Sequence, residues 1–162
     1  WFDWSAVDAD LLAFTKNLVA FRRSHPVFRR RRFLTGVEAS DLGWFTPAGT
    51  PMTSGDWSDP NALAVGIYLD GSDDPDRAAD GTLLLDDDFV VLVNAWWEPL
   101  DFAIPPARPG QAWQLAIDSY DPQRARGDGA AAASRRAGDR VSVGPRSVCV
   151  LRGPRAPGQG TA

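Results

Sequence analysis

A mainly β fold, an antiparallel β-sandwich led by one amphipathic helix, is what the sequence predicts. Leu11, Phe14, Leu18 and Phe21 recur at three- and four-residue spacing before Pro26, as one face of a helix does. After Pro26 the apolar residues recur at period two, in short runs suited to half-buried strands. Clusters of Pro, Gly and Asp separate those runs, as expected between antiparallel strands rather than within βαβ units.

In the helical segment, Leu12 and Val19 widen the apolar stripe while Lys16, Asn17, Arg22 and Arg23 fall off it. Ser5 is the expected N-cap, with Asp8 three positions on in the place of a capping-box acid. Asp8 and Asp10 at the start and Arg22 and Arg23 at the end suit the helix dipole. Pro26 disfavours helical geometry at His25 and ends the element. Short strands are expected at Arg32–Leu34 and Leu42–Phe45. Leu63, Val65, Ile67 and Leu69 alternate strictly, whereas Phe89–Val93 is apolar on both faces and reads as an inner strand. Leu100, Phe102 and Ile104 alternate, as do Trp113, Leu115 and Ile117. Val141 and Val143 precede Pro145, and Ser147–Leu151 closes the series. Turns fall at Thr46–Thr50, Asp70–Asp76, Pro105–Gly110 and Asp118–Gly129, and Ala130–Ala133 reads as a variable loop. The organisation expected is a helical lead over 1–28, a β-sandwich over 29–152 and a disordered Pro- and Gly-rich tail over 153–162. There is no internal repeat.

The chain has 162 residues, 44% of them hydrophobic, which suffices for one core. It opens on Trp1, and Met52 is its only methionine, so a segment cut from a longer protein is expected. No stretch approaches the roughly 18 apolar residues of a membrane span, and no signal-peptide pattern is present. A net charge of −4 disfavours nucleic acid as a partner. One cysteine, Cys149, excludes an internal disulfide and fits a reducing, cytoplasmic setting.

Candidate chemistry is sparse. His25 is the only histidine, with no nucleophile or orienting group marked for it, and reads as structural. Cys149 reads as a buried, inert thiol within a strand. Asp70, Asp73, Asp74 and Asp76 lack the EF-hand spacing and are interrupted by Pro75, so they read as a solvated, mobile loop rather than a calcium site. Asp86–Asp88 reads as a strand breaker, and Arg29–Arg32 as a solvated or interdomain surface. Glu38 and Glu98 are the only glutamates, and no carboxylate ends a parallel barrel strand, so no catalytic pair, metal site or cofactor is expected. Trp96 and Trp97 follow the inner strand; adjacent side chains there should face opposite ways, leaving one for a sugar ring or an interdomain contact.

Trp1-Phe2-Asp3-Trp4, the helix and its ending Phe21-Arg22-Arg23-Ser24-His25-Pro26 are similar to the last barrel helix of isoamylase-type glycogen-debranching enzymes, in the α-amylase superfamily of glycoside hydrolases. Trp44-Phe45-Thr46-Pro47-Ala48-Gly49, Asp56-Trp57, Asp87-Asp88-Phe89, Val91–Ala95 and Arg146–Leu151 resemble the same family's C-terminal domain, in order. The resemblance implies a β-sandwich that follows a (β/α)₈ barrel, in an enzyme hydrolysing α-1,6 branch linkages of glycogen-like glucans. Residues 1–28 would then be the barrel's terminal loop and last helix. The family's catalytic Asp and Glu lie upstream, so no catalytic residue carries over. Trp1, Asp3 and Trp4 would sit at the barrel edge facing the active site and contact substrate in the intact enzyme. Trp96 and Trp97 depart from the polar residues expected after Asn94-Ala95. Two other readings stand beside this one: a free-standing carbohydrate-binding module and a non-catalytic protein-interaction sandwich.

Overall fold

The computed structural model describes residues 1, 3–34, 41–125 and 134–155, with only the backbone of Trp4; Glu38, the Ala130–Ala133 loop and residues 156–162 of the expected tail lie outside the described residues. Helix α1 spans Ala9–Ser24. Its N-cap is Asp8, whose carboxylate accepts from Leu11 N at 2.9 Å, not the expected Ser5. Ser5 is drawn into a 3₁₀ turn over Trp4–Ala6 by Asp3, which accepts from its amide at 2.9 Å and its hydroxyl at 2.6 Å. The second candidate acid therefore took the cap. Pro26 stops α1 at His25 and starts a second 3₁₀ turn, Pro26–Arg29.

Among the described residues seven strands follow: β1 Leu42–Phe45, β2 Ala64–Leu69, β3 Asp88–Asn94, β4 Leu100–Ala103, β5 Gln114–Asp118, β6 Arg140–Val143 and β7 Ser147–Gly153. Two short helices, α2 Ser54–Ser58 and α3 Pro122–Ala125, sit in the connections. Every pairing is antiparallel, in one five-stranded sheet of order β1-β2-β3-β7-β5 and a second sheet of β4 and β6. The expected sandwich is present, with a small second layer. Arg32–Leu34 forms no strand; it is irregular chain.

Strand β3 lies at the centre of the large sheet, which explains its two apolar faces. Val90 and Leu92 face the second layer and join Phe102, Ile104, Trp113 and Val143 in the main core. On the opposite face Phe89 and Val150 receive Val27 of the 3₁₀ turn, with Phe21 and Phe28 packed beside them. Phe21, Phe28 and His25 close around the Phe89 ring at centroid distances of 5.7, 4.7 and 4.8 Å. The end of α1 is thus fastened to the outside of the sandwich, while no residue of α1 is fully buried. At the other terminus Gly153 still pairs with Asp88, and Arg155 is ion-paired to Asp70 and Asp88, so order extends past the expected tail boundary at 153.

Candidate functional site: a tryptophan-lined cleft

A polar-rimmed concavity is assembled from the β1–β2 connection and the β3–β4 turn. After β1, Thr46 N donates to Thr50 O at 2.8 Å and Met52 N returns to Trp44 O at 2.9 Å. Thr53 and Asp56 then form a reciprocal capping box at the start of α2, with Thr53 N to Asp56 Oδ2 at 2.7 Å and Asp56 N to Thr53 Oγ1 at 3.3 Å. The Thr53 hydroxyl, and next its amide, hold the Asp56 carboxyl below its ordinary pKa, so it is charged at neutral pH. Trp57 fixes the short helix by meeting Trp44 edge-on at 5.3 Å. Asp59 Oδ1 accepts from Asn61 N at 2.8 Å, which shapes the run into β2.

The facing wall is set by Asn94, a buried amide at the end of β3. Its Oδ1 accepts from Trp96 N at 3.0 Å, turning the chain immediately after the strand. Its Nδ2 donates to Glu98 O at 2.9 Å, Gly144 O at 2.9 Å and Val143 O at 3.2 Å, tying this turn to the β6–β7 connection between the two sheets. Arg146 N, in that connection, donates back to Trp96 O at 2.9 Å. Because the chain has left the strand, the expected alternation of Trp96 and Trp97 fails. The two indoles stack on each other, centroids 3.5 Å apart and planes 26° apart. Trp96 lines a cleft of about 400 Å³ together with Leu63, Leu100, Asp56, Asp59 and Asn61. Trp97 stacks against Trp96 and is 59% exposed. Asn94 was missed in the sequence, although an Asn ending a strand before a turn is a recognisable Asx-turn signal.

The other expected site residues lie elsewhere. Trp1 is fully exposed, and Asp3 is engaged in capping Ser5; the Trp4 side chain lies outside the described residues. His25 is buried with Nδ1 2.7 Å from Asp86 Oδ1, and Asp86 Oδ2 accepts from Val27 N at 3.0 Å. His25, Asp86 and Asp87 bring potential metal-ligand atoms within 4.8 Å of one another. Those atoms are already engaged: Asp87 pairs with Arg152 and accepts from Arg155 N at 2.9 Å. The cluster is a clip between the helix end, β3 and β7.

The arginine run, read as a solvated or interdomain surface, and the acidic loop, read as solvated, are each other's partners. Arg30 donates to Asp70 O, Arg31 N to Asp76 Oδ2 at 2.8 Å, and Arg32 pairs with Asp74 at 2.6 Å. The acidic loop is consequently bonded to the arginine run, while Asp74 stays mostly exposed. Asp86–Asp88 likewise does more than break a strand. The fully buried Asp88 carboxylate takes Gly71 N at 3.0 Å and both Arg108 and Arg155 at 2.5 Å. Burial works against charge on Asp70, but hydrogen bonds from Ser72 and the Arg155 guanidinium outweigh it and hold its pKa below the ordinary value. Burial pushes the Cys149 thiol up to about 12, with the Asp118 charge adding to the effect, which leaves it protonated and inert.

The chain was compared with known proteins on this basis. Residues 41–152 match the family described as "Isoamylase, C-terminal". Glycogen operon protein GlgX homologs of Mycobacterium tuberculosis and Mycobacterium bovis are 37% identical over 160 residues, covering 94% of this chain and 22% of theirs. An isoamylase of a Flavobacterium species is 29% identical over 126 residues, 74% of this chain and 15% of that one. A pullulanase type I of Bacillus subtilis, solved with maltose, superposes with a TM-score of 0.53 at 14% identity, over 94% of this chain and 17% of its own; this likeness is one of fold. The chain therefore spans about a fifth of the length of the curated relatives it matches. Together with the antiparallel sandwich and its leading helix, the match over residues 41–152 places this chain in the isoamylase C-terminal domain family.

Proposed function

We propose that the chain is the non-catalytic C-terminal part of an enzyme that hydrolyses α-1,6 branch linkages in glycogen-like glucans. In this reading it stabilises and positions a (β/α)₈ catalytic barrel, and residues 1–28 are that barrel's terminal loop and last helix. Trp1, Asp3 and Trp4 then contact the α-glucan at the barrel edge, and the enzyme works in the cytoplasm beside stored glycogen.

The observation that carries this reading is the state of α1. Phe14, Leu18 and Phe21 lean on the sandwich, yet the sixteen-residue helix has no fully buried side chain. Leu11, Leu12 and Val19 are 60%, 43% and 51% exposed. A helix of this length draws its stability mainly from packing, and each such side chain gains roughly 1.5–3 kcal/mol on burial. A barrel wall against that face supplies the missing contact. The purified chain is expected to release no reducing ends from glycogen and to bind an apolar dye. Leu12→Lys with Val19→Lys should abolish the dye signal without loss of the folded β signal. A monomeric chain that binds no dye would refute docking through α1.

A further inference from the structure

We infer that the cleft beside Trp96 is a binding site for a short run of α-linked glucose units. The inference rests on the reading of the chain as part of an α-glucan-cleaving enzyme, because an indole wall by itself accepts any sugar ring. Four features of the cleft select a neutral polyhydroxyl ligand. Trp96 offers an apolar face for the C–H side of a pyranose, and Leu63 and Leu100 extend it. Asp56, Asp59 and Asn61 supply hydrogen-bonding groups for hydroxyls on the opposite side. Internal bonds to Asp56 use Oδ2 and the bond to Asp59 uses Oδ1, so the second oxygen of each is left to accept. The lining holds two carboxylates and neither Arg nor Lys, which disfavours phosphates and other anions.

Size and rigidity agree with this assignment. A cleft of about 400 Å³ falls within the range of roughly 300–1,000 Å³ that small-molecule sites occupy. Both walls are fixed before any ligand arrives: Asn94 and Arg146 hold the Trp96 turn, and the Thr53–Asp56 box with the Trp44–Trp57 contact holds α2. A sugar therefore meets groups whose ordering cost is already met within the fold. Trp97 stacks on the Trp96 indole, centroids 3.5 Å apart. Placed on a non-catalytic domain, such a site would keep a branched glucan near the enzyme between cleavage events.

Calorimetric titration of the full 162-residue chain with maltoheptaose tests the site, since Trp96 itself would be the fluorescence reporter. Saturable heat at millimolar sugar is expected, and Trp96→Ala should weaken the apparent affinity by about tenfold or more, a change of roughly 1.4 kcal/mol. Ala62→Arg, at an exposed position that lines the cleft, should fill it and cause the same loss with an unchanged melting midpoint. No saturable heat with the unsubstituted chain overturns the site. So does an affinity that neither substitution changes, or equal binding of cellohexaose. Reducing-end release by the intact enzyme separates the two readings: debranching by a protein whose C-terminal part ignores maltoheptaose removes the cleft site alone. Maltoheptaose binding through Trp96 in a protein without debranching activity keeps the site and removes the proposed reaction.

Discussion

Replacing Asn94 by alanine removes the amide that ties the Trp96 turn to the β6–β7 connection. Four contacts are lost, one at Oδ1 and three to carbonyls that share the two N–H hydrogens of Nδ2. At about 1 kcal/mol net for each, the ceiling is about 4 kcal/mol. Gly144 O keeps a partner in Ser147 Oγ at 2.7 Å, and Glu98 is exposed, so water can reach its carbonyl. Trp96 N and Val143 O carry the remaining penalty, and the expected loss is about 2–3 kcal/mol. For a domain of this size that lowers the melting midpoint by about 5–10 °C. Urea unfolding followed by circular dichroism reads the stability, and maltoheptaose titration reads the cleft, which should weaken as the Trp96 wall loses its tether. Asn94→Asp keeps the acceptor for Trp96 N but sets a charge against three carbonyl oxygens. Its loss should exceed that of alanine at neutral pH and shrink on acidification, because the protonated acid regains an O–H donor. An Asn94→Ala loss under about 0.5 kcal/mol, the scale of an ordinary surface substitution, would refute the reasoning.

Three further outcomes follow from the same contacts. Asp70 has a lowered folded pKa, so its contribution is complete above the unfolded value of about 4 and is lost as pH falls through the folded one. The urea midpoint should hold steady down to about pH 5 and then fall, less steeply in Asp70→Asn; equal slopes would contradict this. At Gly71 an added Cβ would lie 2.1 Å from Asp87 O and 2.4 Å from Asp86 O. Gly71→Ala should cost about 3 kcal/mol, measured by the same unfolding curve, and a neutral result would mean that the Asp86–Asp88 segment yields easily. Cys149, fully buried with its thiol pushed up to about 12, should resist a thiol reagent until the chain is unfolded. Labelling of the native chain at neutral pH would place the strand pair β3–β7 in frequent opening.

What could be read from residues in order was local. The period-two runs gave β2, β4, β6 and β7, and the two-sided apolar run at Phe89–Val93 gave the central strand, because burial on one or both faces writes its pattern within a few residues. The helix and its end at Pro26 were legible for the same reason. Its cap was not, since Ser5 and Asp8 both suit that role and only Asp3 decides between them. Arg32–Leu34 carries strand-like residues, but Phe33 is almost wholly exposed and no layer covers it, so the pattern finds no face to bury. The charge runs were misread because each partner lies 40 or more residues away: Arg30–Arg32 with Asp70–Asp76, and Asp86–Asp88 with His25, Arg152 and Arg155. Acidity by itself looks solvated; only the fold brings the matching arginines. Trp96 and Trp97 were misplaced because alternation was carried one step beyond the strand, past the point where Asn94 turns the chain.

The coding sequence immediately upstream of the Trp1 codon bears most directly on whether this domain serves a debranching barrel. An uninterrupted frame that encodes a (β/α)₈ barrel with its Asp and Glu carboxylates at the strand ends is the predicted result. A stop codon, or a frame that encodes no barrel, would contradict it.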